Sequence, residues 1–274
     1  MTAGTMSAPP VVKRGRRRLK RALLPLVPFA ILLAVWLSAV AVLDPPVGVL
    51  PDPSRVARIP FTETADFVTN VWASVQRLLW GFVFAAVTGI ALGIVAGLSK
   101  GVAEFFGPLT TFMNAISGIA WIPLAIAWFG ISTSPFSGMT IFIIWNAAFF
   151  LVFGNTMLGV RLVPLVLENG LLTLGATRMQ IVFQVILPGA LPYVMSGLRS
   201  GLGFGWRAVI AAELVGATSG LGQWIFVAQE FSRADIIIAG ALTIGAIGMI
   251  MDRWLLAPLE RRTVERWGLV GSER

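Results

Sequence analysis

The feature that most constrains this chain is the interval between Glu104 and Arg161, which contains 56 residues (105 to 160) and no Asp, Glu, Lys or Arg. A transmembrane helix needs about 20 apolar residues, so the interval is long enough for two. The segment STSPFSG at 132–138 supplies turn-forming residues between them. Over the whole chain only 12% of residues are charged, against about 25% in soluble domains. The sequence therefore predicts an all-α, polytopic integral membrane protein.

Apolar runs predict six transmembrane helices, at about 22–43, 76–98, 108–130, 139–160, 189–212 and 236–256. The basic segment KRGRRRLKR precedes the first run, as it would in a signal peptide. That run is 22 residues long, enough to cross the ~30 Å hydrocarbon core, so an uncleaved first span is favoured over a signal peptide. The expected organisation is a basic cytoplasmic tail (1–21), a transmembrane domain (22–267) and a C-terminal tail (268–274).

The distribution of basic residues predicts that both termini lie in the cytoplasm. With the N-terminus inside, the inner segments hold 15 Lys and Arg, and the outer segments hold only Arg55, Arg58 and Arg233. The net charge of +8 therefore indicates membrane orientation and not a nucleic-acid partner. We expect a multi-pass protein of the bacterial cytoplasmic (inner) membrane, in contact with lipid.

Several kinds of chemistry are excluded by composition. The chain has no cysteine and no histidine, which excludes disulfides, thiolate or imidazole metal sites and histidine-assisted nucleophiles. Its only lysines are Lys13, Lys20 and Lys100, and none stands in a Gly-Lys-Ser/Thr context. We therefore expect no metal or cofactor on this chain, and no ATP hydrolysis by a P-loop.

Glycine recurs at every fourth position in two predicted spans. Such stripes allow helix backbones to approach closely in lipid, within one bundle or in a dimer. The glycines are Gly89, Gly93 and Gly97 in the second span and Gly197, Gly201 and Gly205 in the fifth.

A polar interruption follows the fourth span, at residues 161–187. Its alternation of apolar and polar residues predicts two short amphipathic helices joined at the sequence GAT, with Gly175 at the break. Pro188 suits the first turn of the next span. A cytoplasmic hairpin with one apolar face requires a partner for that face.

The segment LGATRMQIVFQVILPGALPYVMSGLRSGLG resembles the signature loop of ABC-importer permeases. There a glycine precedes an I-x-L-P element by a fixed interval, and Gly175, Val185, Leu187 and Pro188 hold those places. The resemblance covers about residues 72–267 and points to the branch that serves nitrate, sulfonate and taurine. Its other matches are SVQRLLWGF (74–82), WIPLAIAWFGI (121–131), GNTMLGVR (154–161), AAELVGATSGLG (211–222) and ERW (265–267).

One position departs from the family pattern. The family loop usually begins Glu-Ala-Ala, with its glutamate six residues before the glycine, whereas this chain has Asn169 there, followed by Gly170 and Leu171. Glu168 stands one residue earlier. Either Glu168 takes the role of the glutamate after a local shift, or Asn169 supplies the polar cap.

The resemblance implies a type I ABC importer permease that carries a small, anionic solute. It implies two separate ATPase subunits, which bind ATP and Mg, a second permease copy (a homodimer or a pair of related chains) and an extracytoplasmic solute-binding protein. The loop would dock on the ATPase and transmit its closure to the spans. The expected coupling residues are Glu168, Asn169, Gly170, Gly175, Ala176, Thr177, Leu187 and Pro188.

Charged residues in or near the spans are candidates for the translocation path. Arg199 either lines the path of an anion or pairs with an acid such as Asp252. Trp206, Arg207 and Glu213 are expected at the outer gate or against the external binding protein. Arg207 and Glu213 are not expected to form an ion pair, because a spacing of six does not place them on one helical face.

Two further expectations concern the outer side. Arg77 is expected at the membrane interface. The segment 217–235 either dips into the bundle as a gate or lies along the surface, with Trp224 and Phe226 in the interface.

Two other functions remain as alternatives. A stand-alone secondary transporter or channel usually carries titratable acids at the membrane midplane, and the predicted spans hold almost none. A membrane-embedded enzyme would lack histidine, cysteine or clustered carboxylates.

Overall fold

A computed structural model describes residues 27–46, 48–132, 134, 136–256 and 258. Helices make up most of this part of the chain, which contains no β-strand, so the all-α prediction is confirmed. The α-helices are α1 (Val27–Leu43), α2 (Pro53–Thr62), α3 (Thr64–Leu98), α4 (Lys100–Ala115), α5 (Ile122–Phe129), α6 (Gly138–Arg161), α7 (Leu165–Thr173), α8 (Arg178–Ile181), α9 (Leu187–Gly216), α10 (Leu221–Glu230) and α11 (Ala234–Ile250).

Within the described residues, four helices are long and apolar enough to cross a membrane. They are α3, α6, the continuous helix Arg178–Gly216 that contains α8 and α9, and the helix Ala234–Trp254 that begins with α11. A fifth span is present if α4 and the helix Gly118–Phe129 are counted together. The apolar helix α1 has 17 residues, and positions 22–26 of the predicted first span lie outside the described residues.

The predicted third span, 108–130, is wrong as a single straight helix. Helix α4 begins at Lys100 and ends at Ala115, and the following helix is bent from it by 92°. The break lies at Ile116 and Ser117, whose backbone is extended. The sequence did not reveal this break, because the residues on both sides of it are apolar. An uncharged apolar run looks the same whether it forms one straight helix or two helices at an angle.

The predicted second span, 76–98, ends as expected but begins too late, since α3 starts at Thr64. At ~1.5 Å per residue its 35 residues extend about 52 Å, well beyond a hydrocarbon core. The extra N-terminal turns pack on α10, with the rings of Phe67 and Trp224 at 5.9 Å. The predicted fourth and sixth spans are confirmed within a few residues.

Helix α6 lies between α3 and α9, and both glycine stripes face it. A Cβ atom on Gly93 would lie 2.7 Å from the Thr156 Cβ, and one on Gly97 would lie 2.5 Å from the Val160 Cβ. From the opposite side, a Cβ on Gly197 would lie 2.8 Å from the Asn155 Cβ. The stripes therefore serve packing within one bundle, the first of the two uses that the sequence allowed.

The helix from Arg178 to Gly216 passes through a π-helical segment, Val182–Ile186, before α9 begins. In this segment the Leu187 N–H donates to the Val182 carbonyl. Pro188 follows directly, in the first turn of α9 as predicted. Because proline lacks an N–H and crowds the carbonyl four residues earlier, a widened turn at this point keeps the helix continuous.

The glycine packing predicts different effects for two glycines of α9. Gly197→Ala should destabilise the protein by about 1–3 kcal/mol, because its new methyl group overlaps α6. Gly203→Ala is the control, since a Cβ at Gly203 meets no atom within 4 Å, and it should be neutral or stabilise by up to about 1 kcal/mol. Unfolding by heat or SDS in detergent measures both, and equal stability of the two variants would contradict this packing.

Candidate functional site

The loop after α6 forms a helical hairpin with its turn where predicted, but the second helix is not a separate short one, because it continues into α9. Helix α7 ends in a turn where Gly175 has φ +81°, with the Gly175 N–H donating to the Leu172 carbonyl and the Ala176 N–H to the Leu171 carbonyl. This is a Schellman motif, which favours glycine at the left-handed position. Thr177 then begins α8 with a capping box, in which its N–H donates to the Gln180 Oε1 at 2.7 Å. Gly175 and Thr177 therefore set the angle between the two helices.

The hairpin exposes a broad apolar surface. No residue of α7 is buried, and Leu174 at the turn is 82% exposed. The other largely exposed apolar side chains of this surface are Leu165, Val166, Leu167, Met179 and Phe183. Such a patch on a polar loop indicates a protein interface.

The polar residues at the start of the loop do not cap α7, whose N-cap is Pro164. Asn169 and Gly170 are exposed, and neither Glu168 nor Asn169 makes a side-chain hydrogen bond with another described residue. Glu168 lines a cleft of about 800 Å³ beside the hairpin. Asn169 therefore does not cap α7 in this structure. Leu187 and Pro188 are half-buried at the base of the hairpin. The other charged residues of the cleft are Lys100, Glu104, Arg161 and Arg178.

A buried charge pair joins α3 to α9 at the other end of the bundle. The Arg77 Nη1 donates to the Glu213 Oε1 at 2.9 Å, and both side chains are fully buried. The Ser74 hydroxyl donates to the same carboxylate, 2.7 Å from Oε2. The sequence placed Arg77 at the membrane interface and gave it no partner, whereas the structure shows its side chain buried against Glu213. An arginine within an apolar bundle is retained when a carboxylate neutralises it.

The same groups hold the loop 217–220 and the start of α10 against the bundle. Arg77 donates to the Ser219 carbonyl at 2.6 Å and to the Ser219 hydroxyl at 2.8 Å. The Gly222 N–H donates to the Glu213 Oε2, and the Gly220 N–H donates to the Asn70 Oδ1. Gly220 has φ +114°, and a Cβ there would overlap the Glu213 carboxylate. Only glycine fits this close approach.

The segment 217–235 therefore packs into the bundle at its start and does not lie along the surface there. Trp224 is buried instead of lying at an interface, whereas Phe226 is 40% exposed. At its end, Arg233 pairs with Asp235 at 3.0 Å and with Glu63 at 2.8 Å. Hydrogen bonds to Asp235 and Glu63 raise the pKa of the Arg233 guanidinium above its ordinary value, so this link stays charged.

The four residues expected along the path lie in three separate places. Arg199 forms a two-point ion pair with Asp252 at 2.7 and 2.9 Å, which is the second of its two expected arrangements. Trp206 is buried and donates through Nε1 to the Ile244 carbonyl on α11. Arg207 faces another cleft, of about 610 Å³, with its guanidinium 5.4 Å from the Phe204 ring. Glu213 pairs with Arg77 and, as expected, not with Arg207.

Sequence reasoning missed Arg77, Ser74 and Asn146 as site residues. A usable signal existed for the first, because Arg77 and Glu213 are an isolated base and an isolated acid in long apolar helices, where charges usually pair. Asn146, which lines the cleft that Arg207 faces, carried a weaker signal, because the same largely apolar span holds a second amide, Asn155.

Comparison with known proteins assigns the family. Residues 89–264 match the model of the binding-protein-dependent transport system inner membrane component. This chain belongs to that family. The permease is 35% identical to the taurine transport system permease protein TauC of Escherichia coli K12, over 85% of this chain and 86% of that protein.

Two more relatives share this similarity. The nitrate import permease protein NrtB of Synechocystis is 32% identical over 84% of this chain and 86% of that protein. A putative ABC transporter permease protein of Methanocaldococcus jannaschii is 38% identical over 70% and 71%.

A solved structure agrees with the fold. A chain of the MetNI methionine ABC transporter, in an inward-facing conformation, matches with a TM-score of 0.56 and 20% identity, over 69% of this chain and 94% of that chain. The expected permease identity and type I importer fold are confirmed. The permease is a multi-pass transport subunit and not an enzyme, and its family works with an ATPase and a solute-binding protein.

The buried pair predicts a strong energetic coupling. Arg77→Met should destabilise the permease by about 3–5 kcal/mol, because Glu213 is left buried without its counter-charge. Arg77→Met combined with Glu213→Gln should recover about 1–3 kcal/mol of this loss, since the amide still accepts hydrogen bonds from Ser74 and Gly222. Unfolding of the two single variants and the double variant gives the coupling, and additive effects would show that the pair is not a unit.

Proposed function

We propose that the permease imports a small anionic solute, with the hairpin α7–α8 as the contact to the ATPase. The observation that carries this proposal is the continuous helix Arg178–Gly216, which connects the exposed hairpin at one end with Glu213 near the other. A rigid helix that joins the exposed apolar surface of the hairpin to the buried charge network can transmit a movement of the hairpin to that network.

The hairpin suits a groove on a protein partner. Its apolar side chains protrude on both sides of the turn at Gly175, and the adjacent cleft presents charges of both signs. Closure of two ATPase subunits around bound ATP and Mg would displace the hairpin, and the attached helix would tilt the spans for alternating access. This chain contributes no cofactor site in this scheme. The coupling residues remain those expected from the sequence: Glu168, Asn169, Gly170, Gly175, Ala176, Thr177, Leu187 and Pro188.

The solute class is supported by the relatives. The names of two relatives, TauC and NrtB, specify taurine transport and nitrate import. A third relative, a bicarbonate transport system permease protein of Synechococcus elongatus, is 31% identical over 91% of this chain. Nitrate, bicarbonate and the sulfonate of taurine all carry negative charge on oxygen. An arginine in a membrane cleft favours such a group.

The remaining parts of the proposal concern assembly and the path. A second copy of the permease completes the pathway as a homodimer, two ATPase subunits bind inside the cell, and the solute-binding protein docks outside, with lipid around the transmembrane domain 22–267. Arg207 lines the path, the Arg77–Glu213 pair controls the outer gate, and Arg199 and Trp206 hold α9 to α11. Both termini lie in the cytoplasm.

Coupling predicts a specific defect at the hairpin turn. Gly175→Val has open space around the new side chain but forces a β-branched residue to φ +81°, so the turn should change shape while the bundle stays folded. We expect loss of solute uptake in proteoliposomes of the full transporter while ATP hydrolysis persists. The control is Gly101→Val, which also has open space but no positive φ. Normal uptake by the Gly175 variant would contradict the coupling role.

The orientation of the permease in the membrane is tested by labelling single introduced cysteines. The chain has no native cysteine that would react in the background. Ser54→Cys on α2 should react with an impermeant maleimide on intact cells. Thr173→Cys on the hairpin should react only in inverted vesicles, with the permease expressed without its partners. Both positions are exposed. Labelling of Thr173→Cys from outside would invert the topology and exclude contact with a cytoplasmic ATPase.

A further inference from the structure

The cleft that contains Arg207 brings together four side chains that donate hydrogen bonds. It has a volume of about 610 Å³ and lies between α4, α6 and α9, beside the break after α4. Its polar side chains are Asn114, Ser117, Asn146 and Arg207. No Asp or Glu in the described part of the chain lines it. The cleft therefore carries a net positive charge and repels cations.

Asn146 is the first sign that this cleft binds something. The residue is only 8% exposed, and its amide makes no hydrogen bond with any described residue. Its nitrogen and oxygen are not among the fully buried atoms that lack a partner, so the amide opens onto the cleft that it lines. Because no described residue uses this amide, it is available to a group bound in the cleft.

Arg207 is the second sign. Arg77, Arg199 and Arg233 each pair with a carboxylate. Over the described residues Arg207 pairs with none, and its guanidinium contacts the Phe204 ring. Arginines within membrane spans usually face a counter-charge or a water-filled cavity. Here the guanidinium faces the cleft, and its counter-charge is missing from the protomer.

The break after α4 is the third sign. Irregular backbone at membrane depth is tolerated where it lines a cavity, and interrupted helices form solute sites in transporters. Asn114 and Ser117 lie directly at this 92° bend. The bend thus presents Asn114 from α4 and Ser117 from the break to the same space as Asn146 and Arg207.

We propose that this cleft is a transient binding site for an oxyanion on its way through the permease. Arg207 supplies the charge, and the Asn146 amide donates a hydrogen bond that orients the bound group, assisted by Asn114 and Ser117. Oxygen atoms of a nitrate, sulfonate or bicarbonate accept hydrogen bonds from guanidinium, amide and hydroxyl donors of these kinds. This deepens the proposed import of an anion and rests on it.

The test uses the permease–ATPase complex in nanodiscs without the solute-binding protein. Titration with nitrate, ethanesulfonate or bicarbonate, at constant ionic strength set with gluconate, is followed by the shift in thermal midpoint. At least one oxyanion should give a saturable shift in the wild type, and choline should give none. Arg207→Gln should weaken that affinity at least about tenfold, the effect expected for losing a charged hydrogen-bond donor. Arg58→Gln, on the exposed face of α2, removes the same charge elsewhere and should leave the affinity unchanged.

Asn146→Leu separates ligand binding from structural support. If the amide serves the anion, this variant should keep or raise the thermal midpoint without ligand while its oxyanion affinity falls. A midpoint lowered together with unchanged affinity would give Asn146 a structural role and overturn its part in the site. No oxyanion shift in the wild type, or equal shifts in wild type and Arg207→Gln, would overturn the site itself.

A separate measurement distinguishes failure of the site from failure of the proposed function. Stimulation of ATP hydrolysis by the loaded solute-binding protein is recorded on the same wild-type complex. Stimulation without any oxyanion binding in the cleft removes only the site. Loss of stimulation, together with no uptake of any anion by the full transporter, removes the import of an anion.

Discussion

The whole structure depends on the close packing of α6 between α3 and α9. Lipid tails are as apolar as leucine, so helices in a bilayer associate through van der Waals contact and not through the hydrophobic effect. Glycines on α3 and α9 remove the side chains that would hold the backbones apart, and α6 presents Val152, Thr156 and Val160 to them. These β-branched side chains have little rotamer freedom to lose. Half of the most apolar part of α6 is buried, against a third for its two neighbours. The hairpin, the charge network and the Arg207 cleft are all attached to this three-helix unit.

The Arg77–Glu213 pair has a different role from this packing. Removing both charges from water has a free-energy cost that offsets much of their attraction. Such a pair therefore contributes little net stability compared with apolar side chains of similar size. Its specific effect is geometric, because it links α3, α9 and the loop 217–220 through hydrogen bonds that need all three in place. Relative movement of α3 and α9 at this level has to break the network. The structure shows the arrangement in which all of these hydrogen bonds are formed.

The helices could be predicted from patterns within short stretches of sequence. The site could not be predicted in full, because its residues pair with residues far away in the sequence. Helix α6 and the turn at Gly175 follow from apolar periodicity and from a glycine in a known capping context, so both were predictable within a few residues. Arg77 and Glu213 lie 136 residues apart, and neither position alone indicates the other. The bend after α4 was hidden for another reason. Both of its arms are apolar, and the polar residues that face the cleft, Asn114 and Ser117, resemble ordinary loop residues until Asn146 and Arg207 lie opposite them.

The position of the α6 contact along the long helix determines how a displacement of the hairpin acts on the charge network. Gly201, in the middle of the α9 stripe, is 23 residues from Arg178 and 12 from Glu213, or about 35 Å and 18 Å along a straight helix. A helix that tilts about this contact therefore transmits roughly half of any hairpin displacement to Glu213, in the opposite direction. A displacement of about 2 Å at the hairpin would move the carboxylate about 1 Å, and a hydrogen bond of ordinary length would then exceed its geometric limit. The Arg77–Glu213 distance of 2.9 Å leaves little tolerance for such a shift. A displacement of this size at the hairpin end of the helix would therefore break the hydrogen bonds through which Glu213 holds Arg77 and the loop at the other end.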